Sequence, residues 1–284
     1  MNVKKLIIFF ICAFLPMVWV GVAMYFVDSP TFNSALSAGA MFTPLFSVII
    51  TQLIFKEPVL KGLDISFKVN RWWIVGRLLI PVIAFATIGA TLLMPGAVWC
   101  TDNEILQTAL NSMPAGFGVW EIIAVLITGG LFAGVTVNAL CAFGEEVAWR
   151  GFLIKLFSGN RFLSVAFWIG IIWGFWHAPI ILNGHNYPQH SVVGVFMMVV
   201  LCLLLTPIFL YFRQKGGSVI LPAIMHGTYN AVIGISAIVV PSANDLLYGG
   251  CGLAGMIVLL LVNVCIFLYD RFVGKENVFT SIIR

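Results

Sequence analysis

Hydrophobic residues form long runs along the chain, and short polar segments separate them. The runs reach about 20 residues and lack the ten-residue alternation of barrel strands, so the pattern is typical of membrane-spanning helices. It predicts an all-α, polytopic membrane protein with about eight transmembrane helices around an intramembrane polar cavity. The predicted helices lie at about 6–27, 35–55, 72–95, 118–149, 162–182, 191–212, 217–240 and 250–269.

Composition excludes a soluble protein. Of 284 residues, 61% are hydrophobic and only 9% are charged, which is too little polar surface to face water. We see no appended soluble domain, low-complexity tract or internal repeat. The sequence therefore predicts a single integral membrane domain over 1–284, with a motif-bearing core at about 118–240.

The fourth predicted helix is too long for one straight span. It continues past 149 to about Phe157, where Ser158-Gly159-Asn160 ends it. We therefore expect a kink near Gly129-Gly130 or Gly144.

The positive charges predict the orientation. With eight spans, all 15 Lys and Arg fall on the same side of the membrane as the N terminus. They are Lys4, Lys5, Lys56, Lys61, Lys68, Arg71, Arg77, Arg150, Lys155, Arg161, Arg213, Lys215, Arg271, Lys275 and Arg284. The opposite loops, near Asp28, 102–104, 185–190 and Asp245, hold none. By the positive-inside rule both termini are expected to be cytoplasmic. The net charge of +4 then reflects this topology and an attraction to anionic lipid, not nucleic-acid binding.

A few strongly polar side chains lie at membrane depth, where burial is costly and usually marks function. They are Glu145, Glu146, Arg150, His177, His226 and Asn230. If the nearest basic residues mark the cytoplasmic interface, the helical rise of ~1.5 Å per residue gives the depth of each side chain in the membrane. These depths allow the side chains to converge in the cytoplasmic half of the membrane. The other histidines, His185 and His190, lie in a polar segment that we interpret as a solvated outer loop.

Two helical spacings suggest a division of roles. Glu146 and Arg150 are four residues apart and can pair, whereas Glu145 projects about 100° away and is free to face a cavity. A carboxylate in a low-dielectric pocket is a stronger base than one in water, which suits it to activate water. His226 and Asn230 also share a helical face and can offer two hydrogen-bond donors to one oxygen, as an oxyanion hole does.

Each motif also has a structural interpretation. A buried Glu–Arg pair is often only a clamp, and a membrane histidine such as His177 is often hydrogen-bonded between helices. The joint occurrence of these residues favours function.

The motifs in order resemble a known family. EExxxR at Glu145, Glu146 and Arg150, an aromatic residue four before His177, and HxxxN at His226 and Asn230 are similar to the CPBP intramembrane proteases. That group contains the type II CAAX prenyl endopeptidases and bacteriocin-processing and immunity (Abi-like) homologues. The family usually has Phe before the histidine; here Trp173 takes its place, which keeps a packing role and narrows the pocket.

The resemblance implies that Glu145 activates the attacking water with help from His177. It implies that His226 and Asn230 stabilise the oxyanion, and that Glu146 and Arg150 support the site. The implied substrate is a lipidated or membrane-associated protein or peptide that enters from the cytoplasmic leaflet, in a bacterial or archaeal cell membrane.

The cofactor question stays open at this point. The family has been described both as metalloproteases and as metal-independent glutamate proteases. The motif HExxH is absent, so we expect no cofactor, with zinc as the alternative. A zinc ion would be held by Glu145, His177 and His226.

Two other functions fit the same residues. Buried Glu and His could form the proton relay of a transporter or channel. A catalytically silent bacteriocin-immunity scaffold would also retain the motifs.

Overall fold

The structure is a computed structural model that describes residues 2–27, 29–111, 116–236, 240 and 244–283. Asp28 and Arg284, which entered the orientation prediction, lie outside the described residues. The described chain is all-α, as predicted, with a single isolated bridge between Arg161 and Ile282 in place of any strand.

The helices follow one another along the whole described chain. They are α1 (Val3–Phe26), α2 (Pro30–Ala40), α3 (Thr43–Ile54), α4 (Arg71–Leu92), α5 (Glu104–Asn111), α6 (Val119–Val135), α7 (Val137–Glu146), a π-helical segment (Val147–Phe152), α8 (Leu153–Leu156), α9 (Phe162–Trp176), α10 (Ala178–Ile181), α11 (Ser191–Gly216), α12 (Ile220–Val232) and α13 (Leu253–Leu268). A π-helical turn (Tyr269–Gly274) and a 3-10 turn (Val278–Thr280) follow α13.

Length and composition support five or six membrane spans among the described residues. Among the described residues, α1, α2 with α3, α4, α11 and α13 with its π-helical turn give five spans, and the bent unit of α6 and α7–α8 gives a sixth. The predicted spans at 162–182 and 217–240 contain the shorter helices α9, with 15 residues, and α12, with 13. The polytopic membrane fold is confirmed, whereas the count of eight is not.

The fourth predicted span is bent, but not at the expected glycines. The bend of 44° lies between α6 and α7, at Thr136. Packing on α12 explains its position. A Cβ added to Gly134 would lie 2.6 Å from the Cα of Thr228, and Gly227 meets the backbone at Asn138 equally closely. The end of the unit agrees with the prediction, because α8 ends at Leu156.

Small residues bring the site-bearing helices into close contact. Gly170 and Gly174 of α9 face the backbone of α11 at Leu203 and Val199, where an added Cβ would lie 2.9 and 2.5 Å from the Cα atoms. Small residues allow such approach between helices in a membrane protein. Together with the α7–α12 contact at Gly227, this packing places α7, α9, α11 and α12 around one interior.

The loops separate into two ends of the bundle. Ion pairs join Lys5 to Glu57, Asp64 to Arg213 and Lys215 to Glu276 at one end, which contains the loops at 55–70, 157–161 and 213–219 and the tail at 269–283. We call it the basic end. The loops at 93–103, 182–190 and 244–252 form the opposite end, where His190 pairs with Asp245 at 2.6 Å and Tyr248 donates a hydrogen bond to the Pro95 carbonyl.

Candidate active site

A cavity of about 370 Å³ lies between α2, α7, α9, α11 and α12. Its walls include five of the residues that the sequence singled out, which are Glu145, Trp173, His177, His226 and Asn230. The remaining two, Glu146 and Arg150, are fully buried behind this wall. The structure therefore brings the whole predicted set together and divides it into a cavity-lining group and a buried group.

Glu145 lies in the last turn of α7 and is 1% exposed. Its Oε2 accepts hydrogen bonds from the indole nitrogens of Trp173, at 2.6 Å, and Trp149, at 3.3 Å. Its Oε1 receives none from the described residues, although the side chain lines the cavity. One carboxylate oxygen is thus fixed in place and the other is available to a molecule in the cavity.

Trp173 does more than the packing expected of it. Its ring packs against His226 at a centroid distance of 5.2 Å, and its indole N–H donates the shorter of the two bonds to Glu145. Phenylalanine, the more usual residue at this place in the resembling family, has no such donor. The sequence showed the replacement, but it did not show that the extra nitrogen reaches the carboxylate; nor did it indicate the contribution of Trp149.

Glu146 is the centre of a buried polar network. Its Oε1 accepts hydrogen bonds from Arg150, at 2.8 Å, and from Nδ1 of His226, at 3.0 Å. The i, i+4 pair with Arg150 follows from helical spacing, whereas the bond to His226 joins positions 80 residues apart and could not be read from the sequence. Charge-assisted bonds of this kind fix geometry strongly when they are buried.

Arg150 is held on several sides. It donates to Oγ1 of Thr206 on α11, at 3.1 Å, and its guanidinium lies 4.3 Å from the ring centroid of Trp173 and 5.2 Å from that of Phe209. These contacts tie the π-helical segment to α9 and α11. The pairing of Glu146 with Arg150 is present, and both side chains are 0% exposed.

The bond to Glu146 orients His226. A carboxylate oxygen accepts hydrogen bonds, so Nδ1 of His226 carries the hydrogen. The ring packs against the aromatic rings of Trp173 and Phe209 and is 4% exposed. Asn230, one turn later on α12, is exposed and lines the same cavity.

His177 lies where α9 ends and α10 begins, at a break that Pro179 reinforces. The predicted span at 162–182 is therefore interrupted at His177, the residue of this span that was predicted to assist catalysis. Nδ1 of His177 donates to the Trp173 carbonyl at 2.9 Å, because a carbonyl can only accept. The half-buried ring keeps Nε2 as an acceptor, and no described residue binds that atom.

The interpretation of the 185–190 segment as a solvated loop is wrong for two of its residues. His185 is half-buried and lines the cavity, and burial lowers the pKa of its imidazole below the ordinary value. Tyr187 is fully buried and donates a hydrogen bond of 2.7 Å to the Cys251 carbonyl. The segment packs inward because the Asp245 carboxylate accepts from the Gln189 backbone at 2.8 Å and pairs with His190.

The residues proposed for zinc do not form a metal site. Within the ranges that the structure describes, no group of three or more His, Cys, Asp or Glu side chains has the proximity needed to hold a metal ion. The alternative set of Glu145, His177 and His226 therefore does not fit zinc as arranged, because the three side chains do not come close enough to one another. The expectation of no cofactor stays a prediction.

The cavity also reaches residues outside the set that the sequence singled out. Its walls include Ser34 and Ser37 on α2, His185 and Asn186 in the loop after α10, and Cys251 before α13. The loop residues belong to the opposite end of the bundle. The expected position of the site in the cytoplasmic half of the membrane stays a prediction.

Comparison with known proteins gives one family. Residues 132–232 match the family model of the type II CAAX prenyl endopeptidase Rce1-like proteins. No curated protein matches the chain. The matched segment contains every predicted site residue, and the match supports the CPBP family of intramembrane proteases and indicates a CAAX-type protease, a peptide hydrolase.

Proposed function

From the match of residues 132–232 to a CAAX-type protease family, we propose that this membrane protein is an intramembrane endopeptidase that uses a glutamate-activated water. The substrate is a lipidated or membrane-associated protein or peptide. The carrying observation is the asymmetry of Glu145, whose Oε2 is held by two indoles while Oε1 is open to the cavity.

The proposed reaction begins with water between Glu145 and His177. Oε1 of Glu145 takes a proton as the water oxygen attacks the peptide carbonyl carbon, and Nε2 of His177 accepts a hydrogen bond from the same water. The carbonyl π electrons move to oxygen and form a tetrahedral oxyanion. Glu145 then gives its proton to the leaving nitrogen, and the C–N bond breaks. The new carboxylic acid passes its proton to the amine, so a carboxylate and an ammonium group are released.

Two side chains of α12 stabilise the oxyanion. Asn230 offers its amide N–H group, and His226, oriented through Nδ1 by Glu146, presents its opposite ring edge to the cavity. When that edge is protonated it also donates, so the two side chains can converge on one oxygen. Arg150 and Glu146 keep this geometry without touching the substrate.

Replacement of Glu145 tests the proposal. Glu145→Gln preserves the volume and can still accept from both indoles, but it cannot take up the water proton. We expect cleavage of membrane-tethered peptide libraries in liposomes, read by mass spectrometry, to fall by about 10²-fold or more. Glu57→Gln, at the partly exposed Lys5 pair, is the matched control. Unchanged cleavage by Glu145→Gln would remove the central role of this carboxylate.

We also propose that both termini are cytoplasmic and that the chain is one domain in a bacterial or archaeal cell membrane. The support for this orientation is electrostatic. Ion pairs assemble the Lys and Arg loops at one end, and the described loops of the opposite end contain neither residue. By the positive-inside rule, this asymmetry supports a cytoplasmic position for the basic end.

A further inference from the structure

The basic end closes the site on its own side. Leu63 is 1% exposed and lies against Gly151 of the π-helical segment. The neighbouring Asp64 carbonyl accepts from the Val219 backbone at 3.0 Å, and Nε of Arg213 donates to the Arg150 carbonyl at 3.1 Å. The loop after α3 thus forms a floor directly beneath the Glu146–Arg150 network.

The C-terminal tail completes this closure. The Ile283 backbone exchanges hydrogen bonds with the 157–161 loop, from Gly159 at 2.8 Å and to Asn160 at 2.9 Å. Phe279 is 5% exposed, and its ring packs on Phe162 at a centroid distance of 5.0 Å. The backbone bonds of Ile283 and the packing of Phe279 thus cover the basic end between the helices.

At the opposite end, the described residues line further cavity space. A second cavity of about 360 Å³ adjoins the first and shares four of its wall residues, which are Asn186, Asn230, Ile233 and Cys251. Its other described walls include Asp245 and Tyr248 in the loop before α13. Asn230 therefore lies between the Glu145 cavity and a space lined by the loops of the opposite end.

We infer that the substrate reaches Glu145 from the extracytoplasmic face, through the mouth formed by Asn186, Asn230 and Cys251. This inference rests on the proposed protease function and on the cytoplasmic position of the basic end. The substrate class is then a polypeptide on the outer side, either exported or inserted with its scissile bond in the outer leaflet. A peptide tail confined to the cytoplasm meets the closed floor instead.

Cysteine accessibility tests the mouth without any substrate. Asn186→Cys places a thiol at the mouth, and Lys61→Cys places one in the exposed loop of the basic end. In intact cells a membrane-impermeant maleimide should label Asn186→Cys above the parent protein, whereas Lys61→Cys should gain label only after lysis. The reverse pattern would overturn the inference, whatever the protein cleaves.

A second arm links the mouth to cleavage. Modification of Asn186→Cys with a bulky maleimide should lower peptide cleavage about tenfold or more, and modification of Lys61→Cys in lysed membranes should leave it unchanged. Impermeant peptides added outside intact cells should be cut, with Glu145→Gln as the blank. Cleavage of peptides only when they are supplied to inverted vesicles would overturn the inference while leaving the protease function intact. Absence of cleavage in every format would overturn the protease function, and with it this inference.

Discussion

The two sides of the site differ in whether their polar side chains have access to the cavity. On the basic side, Glu146 and Arg150 are sealed from solvent and joined to one another, to His226 and to Thr206. On the cavity side, Glu145 and His177 each keep one atom without a partner among the described residues. Oε2 of Glu146 also lacks a hydrogen-bond partner among the described residues, but it is buried, whereas the side chain of Glu145 lines the cavity. The surroundings therefore assign different tasks to two adjacent glutamates: the buried one stabilises the site and the cavity-lining one is available for chemistry.

Glu146→Gln should give the largest loss of stability. It leaves the Arg150 guanidinium buried without its counter-charge, and breaking one partner of a buried pair costs about 3–5 kcal/mol. Thermal unfolding in detergent measures the effect, and Glu57→Gln provides the control at a partly exposed pair. Equal stability of the two variants would show that the sealed network does not hold the fold.

Arg150→Lys should also be harmful, although it keeps the charge. Arginine here binds Glu146 and Thr206 with two nitrogens, and its guanidinium lies 4.3 Å from the ring centroid of Trp173. An ammonium group cannot reproduce that geometry. We expect a loss of about 2 kcal/mol in unfolding free energy with reduced cleavage. Lys61→Arg is the exposed control. Wild-type activity and melting temperature in Arg150→Lys would contradict the assignment.

Trp173→Phe should affect cleavage more than stability. The change removes the 2.6 Å donor to Glu145 and keeps an aromatic ring beside His226. Loss of one bond to a charged group, worth about 1.5–3 kcal/mol, should lower the cleavage rate by about tenfold or more. Trp168→Phe, on the exposed face of the same helix, should change nothing. Equal rates for both variants would reduce Trp173 to a packing residue.

Asp64→Asn should have the smallest effect. Its side chain is 52% exposed, so solvent screens its pair with Arg213, and such pairs contribute at most about 1 kcal/mol. The melting temperature should shift slightly and cleavage should persist. A collapse of activity would place the floor of the basic end within the catalytic machinery.

The sequence predicted what depends on local pattern. Long apolar runs gave the all-α membrane fold, and the four-residue spacing gave the Glu146–Arg150 pair. The bend at Thr136 was displaced from the expected glycines because contact between α6–α7 and α12 sets it, and no local signal carries that contact.

The missing parts of the site are long-range bonds. The His226–Glu146 bond and the indole bond from Trp173 to Glu145 join different helices. His185 was assigned to solvent because its neighbours are polar, yet Asp245 anchors that segment from the loop before α13 and turns it inward. Polarity alone does not distinguish an exposed loop from one that lines a cavity.

The most direct test compares Glu145→Gln and Glu146→Gln in one preparation, with melting temperature and peptide cleavage recorded together. Our account predicts that Glu145→Gln melts like the wild type and cleaves nothing detectable, whereas Glu146→Gln melts at a clearly lower temperature. Full cleavage by Glu145→Gln would contradict the division of roles between the two carboxylates. So would a drop in the melting temperature of Glu145→Gln as large as that of Glu146→Gln.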